Sequence, residues 1–225
     1  MLRATRAAER AIFAMLDEGS RATPGTLGSW SAKDVQAHLA AWRSIEARRL
    51  DAAAGGEPAT GDPAPDDPID ASNAALQAQH AGWSWAAVDR EADGSIAALI
   101  AAIERSSTEA LCACTDDVAG IGANGVNHAI AHLGDVARLA GAAAPFDELA
   151  REIEANLRRS HLLPRDSGVI LYNLACDRAV SGQLDEARRL LRIAFRLRHD
   201  LLEPAGDDPD LSALTVELSS LAGAD

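Results

Sequence analysis

Two histidines, His128 and His132, lie four residues apart in the stretch "NGVNHAIAHLGDVARLAG", residues 124–141. In a helix, side chains at positions i and i+4 project from one face about one turn apart. Two imidazoles placed in this way can bind one divalent metal ion. The same spacing also arises by chance in many helices, so the pair alone does not separate a metal site from two partly exposed polar side chains.

A third histidine, His38, lies in a separate predicted helix, on the same apolar arc as Trp42 and Ile45. On such a core-facing arc, a histidine is either a hydrogen-bonded core residue or a ligand. Together with His128 and His132, it could complete a three-histidine site between two facing helices. Three protein ligands leave coordination positions open, which is typical of catalytic metal sites.

Two carboxylates near these histidines are candidates for a catalytic role. Asp34 precedes His38 by one turn and could orient a ligand or a water molecule, and Asp135 lies close enough to His132 in sequence to support it from outside. Both also have ordinary explanations. Asp34 follows the N-cap candidate Ser31 at the start of a helix, where a negative charge is favourable, and the position of Asp135 is typical of a solvated charge.

The composition predicts an all-α protein. Hydrophobic residues make up 48% of the 225 residues, but aromatic residues only 4%. Alanine is abundant, and it favours helices that pack closely. Runs of β-branched residues, which would indicate strands, are few.

Charge and cysteine usage exclude several classes of function. The net charge is −13, and the sequence has no block of Lys and Arg residues. We therefore expect no nucleic-acid partner and no binding to an anionic membrane. The N-terminus lacks the apolar core of a signal peptide, and no 18-residue apolar run predicts a membrane span. Three cysteines, with Cys112 and Cys114 in a C-x-C pair, do not suggest a disulfide framework, and zinc binding there is a weak hypothesis. We therefore expect a cytoplasmic protein.

Hydrophobic periodicity predicts helices that cover most of the first 142 residues. The predicted helices span 3–18, 31–50, 84–105 and 124–139, with a short helical piece around 73–80. A Gly-, Pro- and Asp-rich segment at 52–69 predicts a long loop, of the kind that forms functional lids or is disordered. The remaining histidines, His80, His161 and His199, lie in polar contexts and are predicted to be at the surface.

The last 83 residues, 143–225, have a different pattern and are predicted to be a separate helical extension. A charged amphipathic helix is predicted at 146–160 and a last helix at 211–221. Between them, one helix pair has the residue spacing of a tetratricopeptide repeat, with Gly182 at the turn. The positions that carry this spacing are Leu174, Ala175, Arg178, Gly182, Leu184, Ala187, Leu191 and Ala194.

The stretch "GSWSAKDVQAHLAAWRSIEARRL" resembles a motif of the DinB-like four-helix-bundle superfamily, and "NHAIAHLGDVARL" resembles its fourth helix. The resemblance covers about residues 1–142 and is strongest to the ClbS/DfsB-like branch. It implies an up-down-down-up four-helix bundle in which His38, His128 and His132 bind Zn, Ni or a similar divalent ion. The superfamily also includes maleylpyruvate isomerases and thiol-dependent transferases, so a low-molecular-weight thiol is an implied cosubstrate.

These observations lead to three hypotheses. In the first, a bound metal activates a water or a thiol for attack on an electrophilic small molecule, in a transferase, isomerase or hydrolase reaction. In the second, the chain is a non-catalytic binding or scaffold protein whose extension contacts other proteins or forms a homodimer. In the third, the bundle sequesters a reactive metabolite and so confers resistance without turnover.

Overall fold

The computed structural model describes residues 1–25, 30–55, 68–113, 120–159 and 164–223. Regular structure in these ranges is helical, with no strand, which confirms the all-α prediction. The described chain forms two compact units, Met1–Leu149 and Ala150–Asp225, which divide within one helix. The domain boundary at 142/143 stays a prediction. Most of the loop predicted at 52–69 lies outside the described residues.

The first unit is built from helices of very different lengths. Its α-helices are α1 (Leu2–Ala14), α2 (Glu18–Ala22), α3 (Ala32–Gly55), α4 (Ile69–His80), α5 (Trp85–Arg105), α6 (Thr108–Ala113) and α7 (His128–Ala140). A π-helical turn, Ala123–Asn127, leads directly into α7, and α8 (Ala143–Leu157) follows.

Capping hydrogen bonds fix where α3 begins. The carboxylate of Asp34 accepts hydrogen bonds from the backbone N–H and the hydroxyl of Ser31, and the hydroxyl oxygen of Ser31 accepts one from the Asp34 N–H. This reciprocal arrangement satisfies N–H groups that have no partner within the helix. The helix continues to Gly55, beyond the predicted end at residue 50, because residues 52–54 are all alanine, the strongest helix former.

Pairs of contacts along the long helices show their relative directions. The contacts are Ser44–Glu91 and Asp51–Arg105 between α3 and α5, Phe13–Trp85 and Arg6–Asp93 between α1 and α5, and His38–His132 and Glu46–Asn124 between α3 and the segment from the π-helical turn into α7. Along the contacts between α3 and α5 the residue numbers of both helices rise together, so these helices run parallel. Between α1 and α5, and between α3 and α7, the numbers of one helix rise as those of the other fall, so both pairs are antiparallel.

Apolar side chains from these helices form the core of the first unit. Ile12, Phe13, Leu39, Leu50 and Leu133 expose at most 1% of their surface. Burying a side chain of this size contributes about 1.5–3 kcal/mol. Because many of the remaining core positions are alanine, the helix backbones can approach closely.

The second unit consists of the end of α8 and the segments that come after it. These segments are α9 (Pro164–Val180), α10 (Leu184–Leu197), a 3₁₀ turn (His199–Leu201), α11 (Leu202–Ala205), a 3₁₀ segment (Pro209–Glu217) and α12 (Leu218–Ala222). Gly182 has a φ of +75°, a left-handed conformation that glycine adopts without strain, and it forms the turn predicted between α9 and α10. Among the described residues, no helix combines the length and the apolar character needed to cross a bilayer.

Candidate metal centre and adjoining cavity

The structure brings His38, His128 and His132 together, although 90 residues separate the first two. The Nε2 atoms of His38 and His128 face each other at 2.7 Å. One ligand nitrogen from each of the three rings lies within 4.8 Å of the other two. The centroids of the three rings lie 4.5, 5.0 and 5.3 Å apart.

Two antiparallel helices position these side chains. His38 lies on the buried face of α3, and His128 and His132 lie one turn apart on α7. The π-helical turn before α7 packs closely against the rest of the unit through Gly125, where a Cβ atom would lie 2.6 Å from a methyl carbon of Leu2. Turns of this type often occur at functional sites.

Two tryptophan rings flank the histidines. Trp30 lies edge-on to His38, with ring centroids 4.5 Å apart, and stacks on His132 at 6.1 Å. Trp42 contacts His38 and His128 at 6.4 and 6.3 Å. The Nδ1 atom of His38 is buried and has no hydrogen-bond partner among the described residues. These ring contacts therefore orient the His38 ring.

Burial keeps all three imidazoles neutral near neutral pH. Loss of solvation lowers the pKa of His38 to about 3, and the nearby His132 ring, which would repel a second positive charge if protonated, acts in the same direction. Burial also lowers the pKa of His128 well below its usual value, and His38, His132 and Arg43 act in the same direction. The pKa of His132 is lowered by burial, which the charge of Asp135 partly opposes. Neutral imidazoles have the free lone pairs that metal binding requires.

The three rings fit a divalent transition-metal ion. Zinc–nitrogen bonds of about 2.0–2.1 Å in tetrahedral geometry place two ligand nitrogens about 3.3 Å apart. The observed 2.7 Å between His38 and His128 is shorter than this, and the longest separation in the group is at most 4.8 Å. Small rotations of the side chains would equalise these distances. An all-imidazole donor set suits Zn, Cu, Fe or Ni.

A cavity of about 210 Å³ opens beside the histidines. Trp42 and His128 form part of its wall, and Asn124 and Asn127 are polar residues in its lining. The complete lining is Trp42, Ile69, Ala123, Asn124, Asn127, His128 and Ala131. The wall is therefore mostly apolar, with a few polar atoms near one candidate metal ligand.

A buried carboxylate behind this wall was not predicted from the sequence. Glu46 exposes none of its surface, and its Oε2 atom accepts a hydrogen bond of 3.2 Å from the side-chain amide of Asn124. Burial raises the pKa of Glu46 to about 7, although the Asn124 hydrogen bond and the charge of Arg49 lower it. The sequence feature that could have indicated Glu46 is its position two turns after His38. A glutamate within "IEARR", however, is typical of a helix surface.

The two weak catalytic candidates have other contacts. Asp34 caps α3 through Ser31. Asp135 is exposed and pairs with Arg138 at 2.5 Å, so its effect on His132 is that of a nearby negative charge. Neither contact is with a histidine of the candidate metal centre. The catalytic role of both residues stays a prediction.

Two of the three other predicted surface histidines are described by the structure. His199 is exposed as predicted. The prediction for His80 was wrong: it exposes only 7% of its surface, because its Nδ1 atom bonds the Leu76 carbonyl and its ring lies against Trp83. His161 and Cys114 lie outside the described residues, and the side chain of Cys112 is not described.

A second cluster of potential ligand atoms occurs in the second unit. Cys176, Asp208 and Asp210 have ligand atoms within 4.8 Å of one another. The carboxylate of Asp208 already accepts hydrogen bonds from the Tyr172 hydroxyl at 2.7 Å and from the Asp210 backbone N–H at 2.9 Å. Burial raises the pKa of the Cys176 thiol, which disfavours the thiolate that a metal would bind. These contacts tie the 3₁₀ segment to α9.

Comparisons of the chain with protein-family models, with curated proteins and with solved structures found no match. A function for this chain must therefore be inferred from the geometry of its own residues.

Proposed function

We propose that this chain binds a divalent metal ion, Zn or Ni, through His38, His128 and His132. We propose further that it uses the site for attack of a water or a low-molecular-weight thiol on an electrophilic small molecule. The convergence of three neutral imidazoles beside an open cavity is the observation that carries the proposal. An ion bound there would act as a Lewis acid and lower the pKa of the attacking water or thiol.

The helix directions support a DinB-like bundle as the scaffold of this site. With α1 taken as up, the antiparallel α5 and its parallel neighbour α3 are down, and α7 is up again. These directions agree with the up-down-down-up topology that the resemblance implies, and they support that part of the proposal. We include in the proposal that α9 and α10 form a tetratricopeptide-like pair.

The chain's own residues would divide the remaining tasks. The neutral rings leave the charge of a cation uncompensated, which favours an anionic attacking group. Trp30 and Trp42 shield the histidines from solvent on two sides. The aliphatic wall of the cavity would hold the apolar body of the substrate, and the amides of Asn124 and Asn127 would orient its polar group.

Two observations favour non-catalytic alternatives. The largely apolar cavity could hold a reactive metabolite without converting it, as in a sequestering resistance protein. In the second unit, Val180 and Leu197 are 44% and 36% exposed, and Val216 is 95% exposed. Exposed apolar side chains are frequent at protein contacts, so a scaffold or homodimer role for the extension is the other alternative.

Elemental analysis of purified protein tests the metal proposal. We expect about one equivalent of metal per wild-type chain after growth with added Zn and Ni, and much less in His38→Ala and His128→Ala, since two imidazoles bind more weakly than three. His199→Ala, which removes an exposed histidine outside the site, is the matched control and should retain the metal. Equal metal content in wild type and in both site variants would contradict the proposal.

Product analysis separates turnover from sequestration. Metal-loaded wild type is exposed to a small electrophile with and without a low-molecular-weight thiol. Multiple product molecules per chain, lost in His38→Ala, support catalysis. Retention of unmodified electrophile by the protein, at no more than one molecule per chain, supports sequestration instead.

A further inference from the structure

The side-chain amide of Asn124 connects the cavity to a buried carboxylate. Asn124 lines the cavity and exposes only 3% of its surface. Its Nδ2 atom donates to Oε2 of Glu46, which lies behind the wall on α3. The other carboxylate oxygen, Oε1 of Glu46, is buried and has no hydrogen-bond partner among the described residues.

The chemistry of this hydrogen bond fixes the orientation of the amide. An ionised carboxylate only accepts hydrogen bonds, so the NH₂ group of Asn124 must face Glu46. The rotated amide would bring its oxygen against the carboxylate and leave the NH₂ group without this partner. The carbonyl oxygen Oδ1 of Asn124 is therefore the amide atom left for the cavity, and it can only accept.

One charged and one neutral group near Glu46 support its ionised form. Arg49 acts on it from its own helix, and the π-helical turn contributes the neutral amide of Asn124. Burial opposes ionisation and raises the pKa to about 7. Measurements at about pH 8.5 would therefore keep the carboxylate ionised.

We propose that Glu46 is a positioning residue that holds the carbonyl oxygen of Asn124 toward the cavity beside His128, so that the cavity selects molecules carrying a hydrogen-bond donor. The class of ligand is a small molecule with an apolar body and a hydroxyl, thiol or ammonium group. This inference rests on the proposed function only in taking the cavity as the binding site, and it requires no metal.

Two molecules of the same size and apolar body, benzyl alcohol and anisole, test the selection. The alcohol donates a hydrogen bond and the ether cannot, while a cavity of about 150 Å³ already accommodates a benzene ring. Binding is measured by tryptophan fluorescence on the full chain after chelator treatment, since a bound metal would itself prefer the alcohol. Trp42→Phe identifies the signal that comes from the cavity wall.

We expect wild type to bind benzyl alcohol about fivefold more tightly than anisole at about pH 8.5, which is the contribution of one hydrogen bond. In Glu46→Gln, the new amide can accept or donate, so both orientations of Asn124 become populated. The ratio of the affinities for benzyl alcohol and anisole should then fall toward 1. Glu104→Gln, at an exposed position, should keep the preference. Equal binding of the two molecules by wild type, binding of neither, or an unchanged preference in Glu46→Gln would overturn the inference.

A second readout does not depend on the probes. The side-chain amide protons of Asn124 are assigned by NMR in wild type and in Glu46→Gln. We expect a downfield-shifted proton in wild type, because it bonds to a carboxylate, and a loss of this shift in the variant. The metal content of the purified protein is independent of both readouts, so failure of the metal proposal and failure of this inference give different results.

Discussion

Glu9 on α1 and Arg43 on α3 form an ion pair in which neither side chain exposes any surface. Gln36 donates a further hydrogen bond to the Glu9 carboxylate at 3.2 Å, and Arg6 lies 3.4 Å from it. Arg6 in turn pairs with Asp89 and Asp93 in the first half of α5. A buried charge without its partner is costly, so this pair makes the packing of α1 against α3 sensitive to single substitutions.

Arg43→Met should destabilise the protein by about 3–5 kcal/mol, because it leaves the Glu9 carboxylate buried with too few partners. The double variant Glu9→Leu/Arg43→Met should recover most of this loss, since neither charge of the buried pair remains and Arg6 keeps Asp89 and Asp93 as partners. Urea unfolding of the full chain measures both.

The exposed pair Arg105–Asp51 provides the control for this cycle, and Arg105→Ala should cost less than about 1 kcal/mol. A cost for Arg43→Met no larger than that of the control would contradict the prediction. The prediction would also be contradicted if the double variant lost as much free energy of unfolding as Glu9→Leu and Arg43→Met lose in sum.

Glu46 should make the stability of the protein depend on pH. Its folded pKa of about 7 lies above the usual 4.5, so between these values the folded state holds a proton that the unfolded state has released. The contribution of Glu46 to the free energy of unfolding is therefore fully present below about pH 4.5 and is lost as the pH rises through 7. The total loss is about 3 kcal/mol. Urea unfolding at a series of pH values measures it as the difference between wild type and Glu46→Gln. A difference that stays constant over this range would disprove the shift.

Metal affinity should fall less between about pH 7.5 and pH 5.5 than it would for ordinary histidines, because the pKa values of all three rings are lowered and fewer protons compete with the metal. The pKa of His38 is about 3, and those of His128 and His132 are also lowered. Ordinary histidines, which titrate near pH 6.5, would lose affinity steeply over this range. Competition with a chelator of known pH dependence measures the affinity. A loss of up to about tenfold per ring for each pH unit below 6.5, multiplied over the three rings, would show that all three titrate normally.

Two helical glycines should respond in opposite directions to alanine. A Cβ atom added at Gly94 in α5 would have no neighbouring atom within 4 Å, so Gly94→Ala should stabilise the protein by about 0.5–1 kcal/mol. At Gly168 in α9, the Cβ would lie 2.7 Å from Cγ and 3.1 Å from Cβ of Arg198, so Gly168→Ala should destabilise it. Thermal unfolding of the two variants measures the effects, and a stabilising Gly168→Ala would contradict the close packing of Arg198 on α9.

The sequence was sufficient to predict the longer helices and the three histidines that meet, but not the short helices α2 and α6. Helical spacing placed His38 on a buried face, and the i, i+4 pair placed His128 and His132 on one side of α7. These signals are local, because they depend only on residues within a few turns of one another.

The features that sequence reasoning missed depend on contacts between distant segments. Arg43 and Glu46 lie in a charged stretch that is typical of a surface, yet their partners Glu9 and Asn124 come from other helical segments and bury them. The π-helical turn before His128 was not predicted, because it lies at the start of the helix and too few residues precede it for a shift in the apolar pattern to be visible. The additional turn of α3 was missed because the glycines and prolines after residue 54 outweighed the alanines before them.

The polar contacts between α3 and the α7 segment have a consequence for register. Alanine-rich helix surfaces are smooth, and a shift of one turn along such a surface would sacrifice little shape complementarity. The His38–His128 contact and the Glu46–Asn124 hydrogen bond lie two turns apart on α3 and can be satisfied together in only one alignment. The side chains proposed to bind ligands therefore also specify how the two helices align, so the loss of both pairs would give a helical unit with several alternative packings.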